Sequence, residues 1–231
     1  MEILNFKFLE TYYPLLIQGT GITIALAALT VLFGTIIGVL VSLTKLNQKG
    51  IVGKVLSKIG DAYVAFFRGT PLMIQLFILW FGIPQLFHFR YQSLGFISAE
   101  FLIGVLALSI NSGAYVSEIF RAGIQAVDKG QMEAGRSLGL SEKQTLRYVI
   151  LPQAIKNILP ALGNEFIVII KESAIVSVIG LRDLMYNADI IKATTYNAFG
   201  VFIVTAIIYF ILTSICSKLL SIFEGRLHQD A

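Results

Sequence analysis

Long uncharged stretches constrain this chain more than any other feature of its sequence. Four of them carry no Asp, Glu, Lys or Arg: Thr11–Thr44, Gly69–Phe87, Phe101–Ser117 and Ala193–Ser217. A helix needs about 20 apolar residues to cross roughly 30 Å of hydrocarbon. Three stretches reach that length, and the third along the chain reaches it if its charged flanks extend to the interface. The runs do not alternate as the strands of a membrane barrel do, so we expect membrane helices.

A fifth stretch, Asn157–Leu181, is rich in Ile and Val but contains Glu165, Lys171 and Glu172. Counting it as a crossing, the sequence predicts an all-α membrane protein with five transmembrane helices in one domain, 1–231. Only 14% of the residues are charged and 56% are hydrophobic, whereas soluble domains carry about a quarter charged residues. The net charge of +4 therefore indicates basic loops at a membrane, and no nucleic acid is expected as a partner.

The distribution of basic residues predicts how the chain is oriented. Thirteen of the 18 Lys and Arg residues lie between the first two spans, between the third and fourth, or after the fifth, and four lie on the opposite side. Cytoplasmic loops carry the excess of Lys and Arg. We therefore expect a multi-pass protein of a prokaryotic plasma (inner) membrane, with its N-terminus outside and its C-terminus in the cytoplasm.

The longest polar segment, 126–160, lies between the third and fourth spans and predicts two short helices. The first would run from Gln131 to Leu138 and stop at Gly139, a residue suited to a left-handed helix end. Ser141 and Gln144 have the spacing of a capping box, which would start the second helix. Helices joined by a tight turn could dock onto a soluble partner, and a solvated connector is the alternative.

The same segment resembles the EAA loop of ABC importer permeases. That pattern reads E-A-A, three residues, G, nine residues, I, one residue, L-P, and its spacing matches throughout. Two positions depart from it, Gly135 for the third Ala and Val149 for Ile. The resemblance implies a type I importer permease whose cytoplasmic loop fits a cleft on the ATPase, and it marks the coupling residues Glu133, Ala134, Gly135, Ser137, Leu138, Gly139, Leu140, Leu151 and Pro152.

Further segments resemble the branch of that family that transports polar amino acids, the histidine, arginine and glutamine permeases. They are the sequences F-R-G-T-P-L at 67–72, N-S-G-A-Y at 111–115, A-L-G-N at 161–164 and K-E-S at 171–173. The resemblance extends from about Gly19 to the end of the fifth span. It implies two copies of an ABC ATPase, a second permease chain (a homodimer is preferred) and an extracytoplasmic amino-acid-binding protein as partners.

Energy coupling would then depend on a separate polypeptide. The chain has no G-x-x-x-x-G-K-[ST] loop to hold phosphates; Gly53-Lys54 comes closest, but Val55 follows and Gln48 occupies the position of the first glycine. We therefore expect this chain to bind no cofactor and to be a transport subunit, with ATP and Mg used by the partner ATPase. A membrane enzyme and a channel without ATP coupling are the competing functions, and the sequence contains no hydrolase or metalloprotease motif in favour of the first.

Polar residues at membrane depth are candidates for the translocation path, because they are costly in hydrocarbon. These residues are Asp189, Glu165, Glu118, Asn164, Asn111, Ser112 and Thr70. All of them except Thr70 also have a structural alternative, which for Glu165 is a buried ion pair or a contact to a neighbouring loop. Glu118 can pair with Arg121 on one helix face, the asparagines and serine can hydrogen-bond between helices, and Lys171 with Glu172 can form a buried pair.

The amphipathic segment Leu181–Thr194 carries Asp189, which could face a cationic substrate or pair with Lys192. Acids outnumber bases among the intramembrane candidates, which favours arginine, lysine or histidine as substrate, with glutamine or glutamate as the alternative. His88 and His228 have no acidic or thiol neighbours at ligand spacing, so no metal site is expected.

Overall fold

The computed structural model describes residues 6–46 and 50–229, and it is built from helices. Two π-helical turns, Ile78–Gly82 and Leu146–Ile150, and a 3₁₀ segment, Ser173–Ile179, interrupt them. The α-helices of these ranges are α1 (Phe8–Leu46), α2 (Gly50–Gly69), α3 (Leu72–Phe77), α4 (Ile83–Phe87), α5 (Ala99–Gln125), α6 (Lys129–Ser137), α7 (Glu142–Thr145), α8 (Leu151–Glu172), α9 (Leu184–Thr195) and α10 (Ala198–Gln229). The all-α expectation is confirmed.

Three helices of the described ranges, α1, α5 and α10, are long and apolar enough to cross a membrane. A fourth crossing is long and apolar enough only if two helical segments, Gly50–Gly69 and Leu72–Phe87, are taken together, and these are bent by 107° relative to each other. The helix α8, which contains most of the predicted fourth span, is not among these crossings, and it carries Lys156, Glu165, Lys171 and Glu172. The count of five spans therefore stays a prediction.

The helix α5 lies at the centre of the fold, and α1 packs along it. Leu26 of α1 and Leu108 of α5 are buried in the same apolar cluster. Below them, a Cβ added to Gly34 would lie 3.0 Å from Ser112, and one added to Gly38 would lie 2.6 Å from Val116. Glycines four residues apart on a helix let a neighbouring helix approach closely, and here α5 is the helix that approaches α1.

The basic connection between the first two predicted spans is itself a helix, α2, which the sequence pattern did not predict. It ends where Gly69, Thr70 and Pro71 turn the chain into α3. The side-chain amide of Gln75 donates to the carbonyl of Phe67 at 2.9 Å and to that of Thr70 at 3.0 Å, and Asn111 of α5 also donates to the Phe67 carbonyl at 3.2 Å. These donors satisfy carbonyls that a broken helix leaves unpaired, which hydrocarbon would not tolerate.

The short helix α9 packs across the start of α1. Asp183 caps it by accepting from the backbone N–H of Tyr186 at 2.9 Å, and Asn187 donates to the Leu15 carbonyl at 2.8 Å. Gly19 permits this contact, since a Cβ there would lie 2.8 Å from Asn187 and from the backbone of α9. Most of the segment 181–194, predicted to be amphipathic, lies in this helix, which begins at Leu184.

Candidate functional site

The turn that ends α6 has the geometry expected from its glycine. Gly139 has φ +85°, a left-handed conformation that costs residues with a Cβ about 1–2 kcal/mol. Its N–H donates to the Arg136 carbonyl at 3.0 Å, and the Leu140 N–H donates to the Gly135 carbonyl at 3.1 Å. The predicted helix end is confirmed, and the turn closes the carbonyls that the last turn of α6 leaves free.

The start of α7 is fixed by the predicted capping box. The backbone N–H of Gln144 donates to Ser141 Oγ at 3.3 Å, and Gln144 Oε1 accepts from the Ser141 N–H at 2.9 Å. From there α7, the π-helical turn and α8 follow without a gap. The second half of the loop is therefore continuous with α8.

The two short helices pack together at Gly135, the position that departs from the E-A-A pattern. Thr145 of α7 is fully buried. A Cβ on Gly135 would lie 2.5 Å from Thr145 Cγ2 and 2.8 Å from its Oγ1. Glycine fits here because a β-branched neighbour occupies the space that an alanine methyl would need.

The loop rests on an apolar base and exposes its other face. Val127, Ile150 and Ala154 are buried in a cluster beneath it. The exposed residues include Leu138, whose exposure is 84%, and the other members of that face are Glu133, Ala134, Ser137 and Pro152. The predicted coupling residues divide between α6 with its closing turn, at 133–140, and the start of α8, at 151–152, and Gly135 among them is buried.

Helix α8 carries several polar residues within the predicted fourth span. Glu165 accepts a hydrogen bond from Ser112 of α5 at 2.7 Å, while Asn164 is exposed. Lys171 and Glu172 are also exposed, so they do not form the buried pair considered from the sequence. Because an exposed polar helix face is unfavourable against lipid, this face requires water or another protein surface.

Glu118 belongs to a charge cluster at the end of α5 that leads into the loop. Its carboxylate lies 3.0 Å from Lys45 Nζ and 2.8 Å from Arg121 Nη2, and Lys45 Nζ also lies 3.1 Å from Asp61. Arg68 is 3.9 Å from the same carboxylate. The predicted Glu118–Arg121 pair is present, and the additional cations tie together α1, α2 and α5.

The remaining predicted path residues have structural partners. Asp189 Oδ1 lies 2.6 Å from Lys192 Nζ, so the pairing alternative is what the geometry shows. Asn111 donates to Gln75 at 2.9 Å, and Thr70 accepts from the same glutamine at 2.9 Å. Both therefore belong to the α2–α3 break.

Two groups at functional positions were not identified from the sequence. Gln75 holds the α2–α3 break, and the available signal was an amide within an otherwise apolar stretch. Asp183 is fully buried, and burial raises its carboxyl pKa to about 6. Its Oδ2 has no hydrogen-bond partner in the described part of the chain, and no local pattern distinguished it from an ordinary helix cap.

Comparison with known proteins places this architecture in a family. Residues 34–229 match the family described as binding-protein-dependent transport system inner membrane component. The chain belongs to this family. The resemblance drawn from the loop motif is thereby confirmed, together with a multi-pass inner-membrane location and a role as a transport subunit. The family implies an ATPase and a binding protein as partners.

Two curated relatives and one solved structure are similar over nearly the whole chain. A putative glutamine transport system permease protein of Rickettsia bellii is 44% identical over 225 residues, covering 96% of this chain and 98% of the relative. The arginine transport system permease protein of Bacillus subtilis is 42% identical, covering 98% and 99%. A crystal structure of an amino acid ABC transporter with histidines aligns with a TM-score of 0.88 at 49% identity, covering 96% and 98%.

Proposed function

We propose that this chain forms the translocation path of an ATP-driven importer of polar, basic amino acids and transmits the motion of a separate ATPase to that path. The observation that carries the proposal is the construction of the loop 126–160. A left-handed glycine, a capping box and a tight helix–helix contact hold its exposed face in one shape, continuous with α8. Relatives named for amino acid transport support the substrate class.

The coupling residues named above form the surface on which the ATPase docks. ATP and Mg act in that partner, and closure of the ATPase pushes on the loop. Because the loop leads into α8 without a gap, movement of the loop moves the helix that carries Glu165 and Asn164. The charge cluster around Glu118 stiffens the adjoining end of α5.

The polar face of α8 is the proposed wall of the path. Few helices are available in one chain to enclose a path, so we propose two permease copies related by a two-fold axis, with two ATPases and an extracytoplasmic binding protein. A homodimer is preferred. The N-terminus lies outside and the loop and C-terminus lie in the cytoplasm, in accord with the distribution of basic residues.

Among the candidate acids, Glu165 has the geometry best suited to a cationic substrate. Glu118 and Asp189 already contact Lys or Arg side chains. Glu165 accepts from the Ser112 hydroxyl and forms no ion pair with a Lys or Arg of residues 6–46 or 50–229. A carboxylate in such surroundings attracts a positive side chain more strongly than it would in water. The alternative substrate is glutamine or glutamate, favoured by the Rickettsia relatives' names.

Uptake by the reconstituted complex tests the substrate. Arginine, lysine and histidine should compete with labelled arginine, whereas glutamine and glutamate should compete weakly. Glu165→Gln keeps the shape and removes the charge, and should weaken arginine transport about tenfold to a hundredfold, since charge-assisted hydrogen bonds contribute about 1.5–3 kcal/mol.

Asp189→Asn is the matched control, because its charge is already paired with Lys192, and it should change arginine transport much less. If Glu165→Gln leaves arginine transport unchanged, Glu165 does not select the substrate. If glutamine competes better than arginine, the proposal of a basic substrate is wrong. If Asp189→Asn has the larger effect, the carboxylate that binds the cationic substrate is Asp189 on α9 instead.

A further inference from the structure

The helix α2 presents three distinct faces. The buried face is narrow and consists mainly of small residues. It packs on α1, where a Cβ on Gly60 would lie 2.9 Å from Thr44 Oγ1. Its members are Gly53, Ser57, Gly60 and Val64. A second face is apolar and exposed, with Val52, Val55, Leu56, Ile59 and Phe66 between 45% and 72% exposed. The third face carries the exposed charges Lys54, Lys58, Asp61 and Arg68.

The position of α2 does not suit a simple crossing. Its 20 residues are long enough to span, but four of them are charged, and the helix is turned by 107° from the following segment, Leu72–Phe87. If that apolar segment follows the membrane normal, α2 runs nearly along the membrane plane. A helix with exposed apolar and basic faces is typical of the interface between lipid and water.

The contacts of α2 show at which end of the fold it lies. Lys45, at the end of α1, bridges Asp61 of α2 and Glu118 of α5. Seven residues after Glu118, α5 ends at Gln125 and the coupling loop begins. The start of α2 is therefore on the same side of the membrane as that loop.

Two lysines of α2 differ from the neighbouring basic residues. Lys45, Arg68 and Arg121 contact the Glu118 carboxylate. Lys54 and Lys58 are exposed, and within the described ranges neither forms an ion pair with an acid. They are one helical turn apart, so both project on the same side, next to the exposed apolar face.

We propose that α2 is a lipid-binding helix that lies in the headgroup region on the loop side. Its apolar face enters the acyl chains, and Lys54 and Lys58 bind the phosphates of anionic phospholipids. The combination of an apolar face with two lysines unpaired in the described part of the chain complements an anionic bilayer, whereas a second copy of the same face would bring like charges together. The proposal goes beyond amino acid transport and does not depend on which substrate is carried.

Quenching by brominated lipids tests the contact in the complete transporter complex reconstituted in bilayers. A fluorophore on Val55→Cys, in a Cys216→Ser background, should be quenched by brominated phosphatidylcholine and more strongly by brominated phosphatidylglycerol. A fluorophore on Lys143→Cys, an exposed position of α7 that is not among the coupling residues, should not be quenched by either. Uptake of the substrate is not part of this readout, so failure here leaves the transport proposal intact.

The lysines are tested by a charge-removing and a charge-keeping pair. Lys54→Gln with Lys58→Gln should lower the preference for phosphatidylglycerol about 25-fold, since each surface lysine contributes about fivefold. Lys54→Arg with Lys58→Arg should retain the preference.

Three results would overturn the proposal. One is an equal lipid preference in the glutamine pair and the wild type, and another is an absence of quenching at Val55→Cys. The third is a disulfide between Val55→Cys residues of two permease copies, which would assign the face to a second chain.

Discussion

Replacing Gly135 with alanine restores the residue that the E-A-A pattern has at this position, yet the structure predicts that it harms the loop. The new Cβ would lie 2.5 Å from Thr145 Cγ2 and 2.8 Å from Thr145 Oγ1, whereas carbon atoms pack best at about 3.5–4.0 Å. Overpacking of this kind costs about 1–3 kcal/mol. Alanine recovers about 1 kcal/mol over glycine within a helix, so we expect a net local destabilisation of up to about 2 kcal/mol.

The partner substitution reverses the expected sign. Thr145→Ala removes the two nearest atoms that the new methyl would meet and leaves Thr145 Cβ at 3.2 Å, so Gly135→Ala should then stabilise the loop by up to about 1 kcal/mol through helix propensity. Thr145→Ala by itself loses the hydrogen bond from Thr145 to the Ser141 carbonyl, 3.1 Å long, at a cost of about 0.5–1.5 kcal/mol. The four proteins form a double-mutant cycle with an expected coupling of about 1–3 kcal/mol.

Amide hydrogen exchange across α6 and α7 measures this local stability in the intact complex. Gly135→Ala should speed exchange by up to about 30-fold in the Thr145 protein and slow it in the Thr145→Ala protein. ATP-driven uptake should fall and recover in the same order. If the two substitutions act additively, the helices do not pack at this contact, and the account of the loop as one rigid unit is wrong.

Three further predictions concern coupling, topology and assembly. Gly139→Ala forces a Cβ into φ +85° at a cost of about 1–2 kcal/mol, and Glu133→Lys reverses an exposed charge. Each substitution should uncouple ATP hydrolysis from uptake while the membrane helices stay folded. Normal uptake in both variants would exclude the loop as the docking element. A thiol reagent should label Gln229→Cys, in a Cys216→Ser background, only from the cytoplasmic face, and labelling of intact cells from outside would reverse the orientation. The purified complex should contain two permease copies by native mass spectrometry, and a single copy would end the two-fold arrangement.

The parts of the structure that depend on local sequence were predictable. The turn at Gly139 follows from one residue that tolerates positive φ, and the start of α7 follows from Ser141 and Gln144 three residues apart. The Asp189–Lys192 pair is likewise a contact between positions three apart on one helix, and it was one of the two alternatives stated. The C-terminus, with Gln229, was predicted to lie in the cytoplasm, and this stays a prediction.

The parts that depend on distant contacts were not predictable from one sequence. The partner of Glu118, Lys45, is 73 positions away, and Gln75 meets Asn111 across 36 positions. The connection that contains α2 was predicted as a basic loop because of its charged residues. The helix could not be predicted, since its small residues are explained only by their packing on α1. Gly135 was recognised as a departure from the motif, but only the position of Thr145 explains it.

Uptake into vesicles that contain this chain, its ATPase and its binding protein tests the central claim most directly. Labelled amino acid should accumulate only when ATP is present on the loop side and the binding protein is on the other side. ATP hydrolysis should rise when the binding protein is loaded with substrate. Equal uptake without ATP, or hydrolysis indifferent to the loaded binding protein, would show a channel and contradict the account.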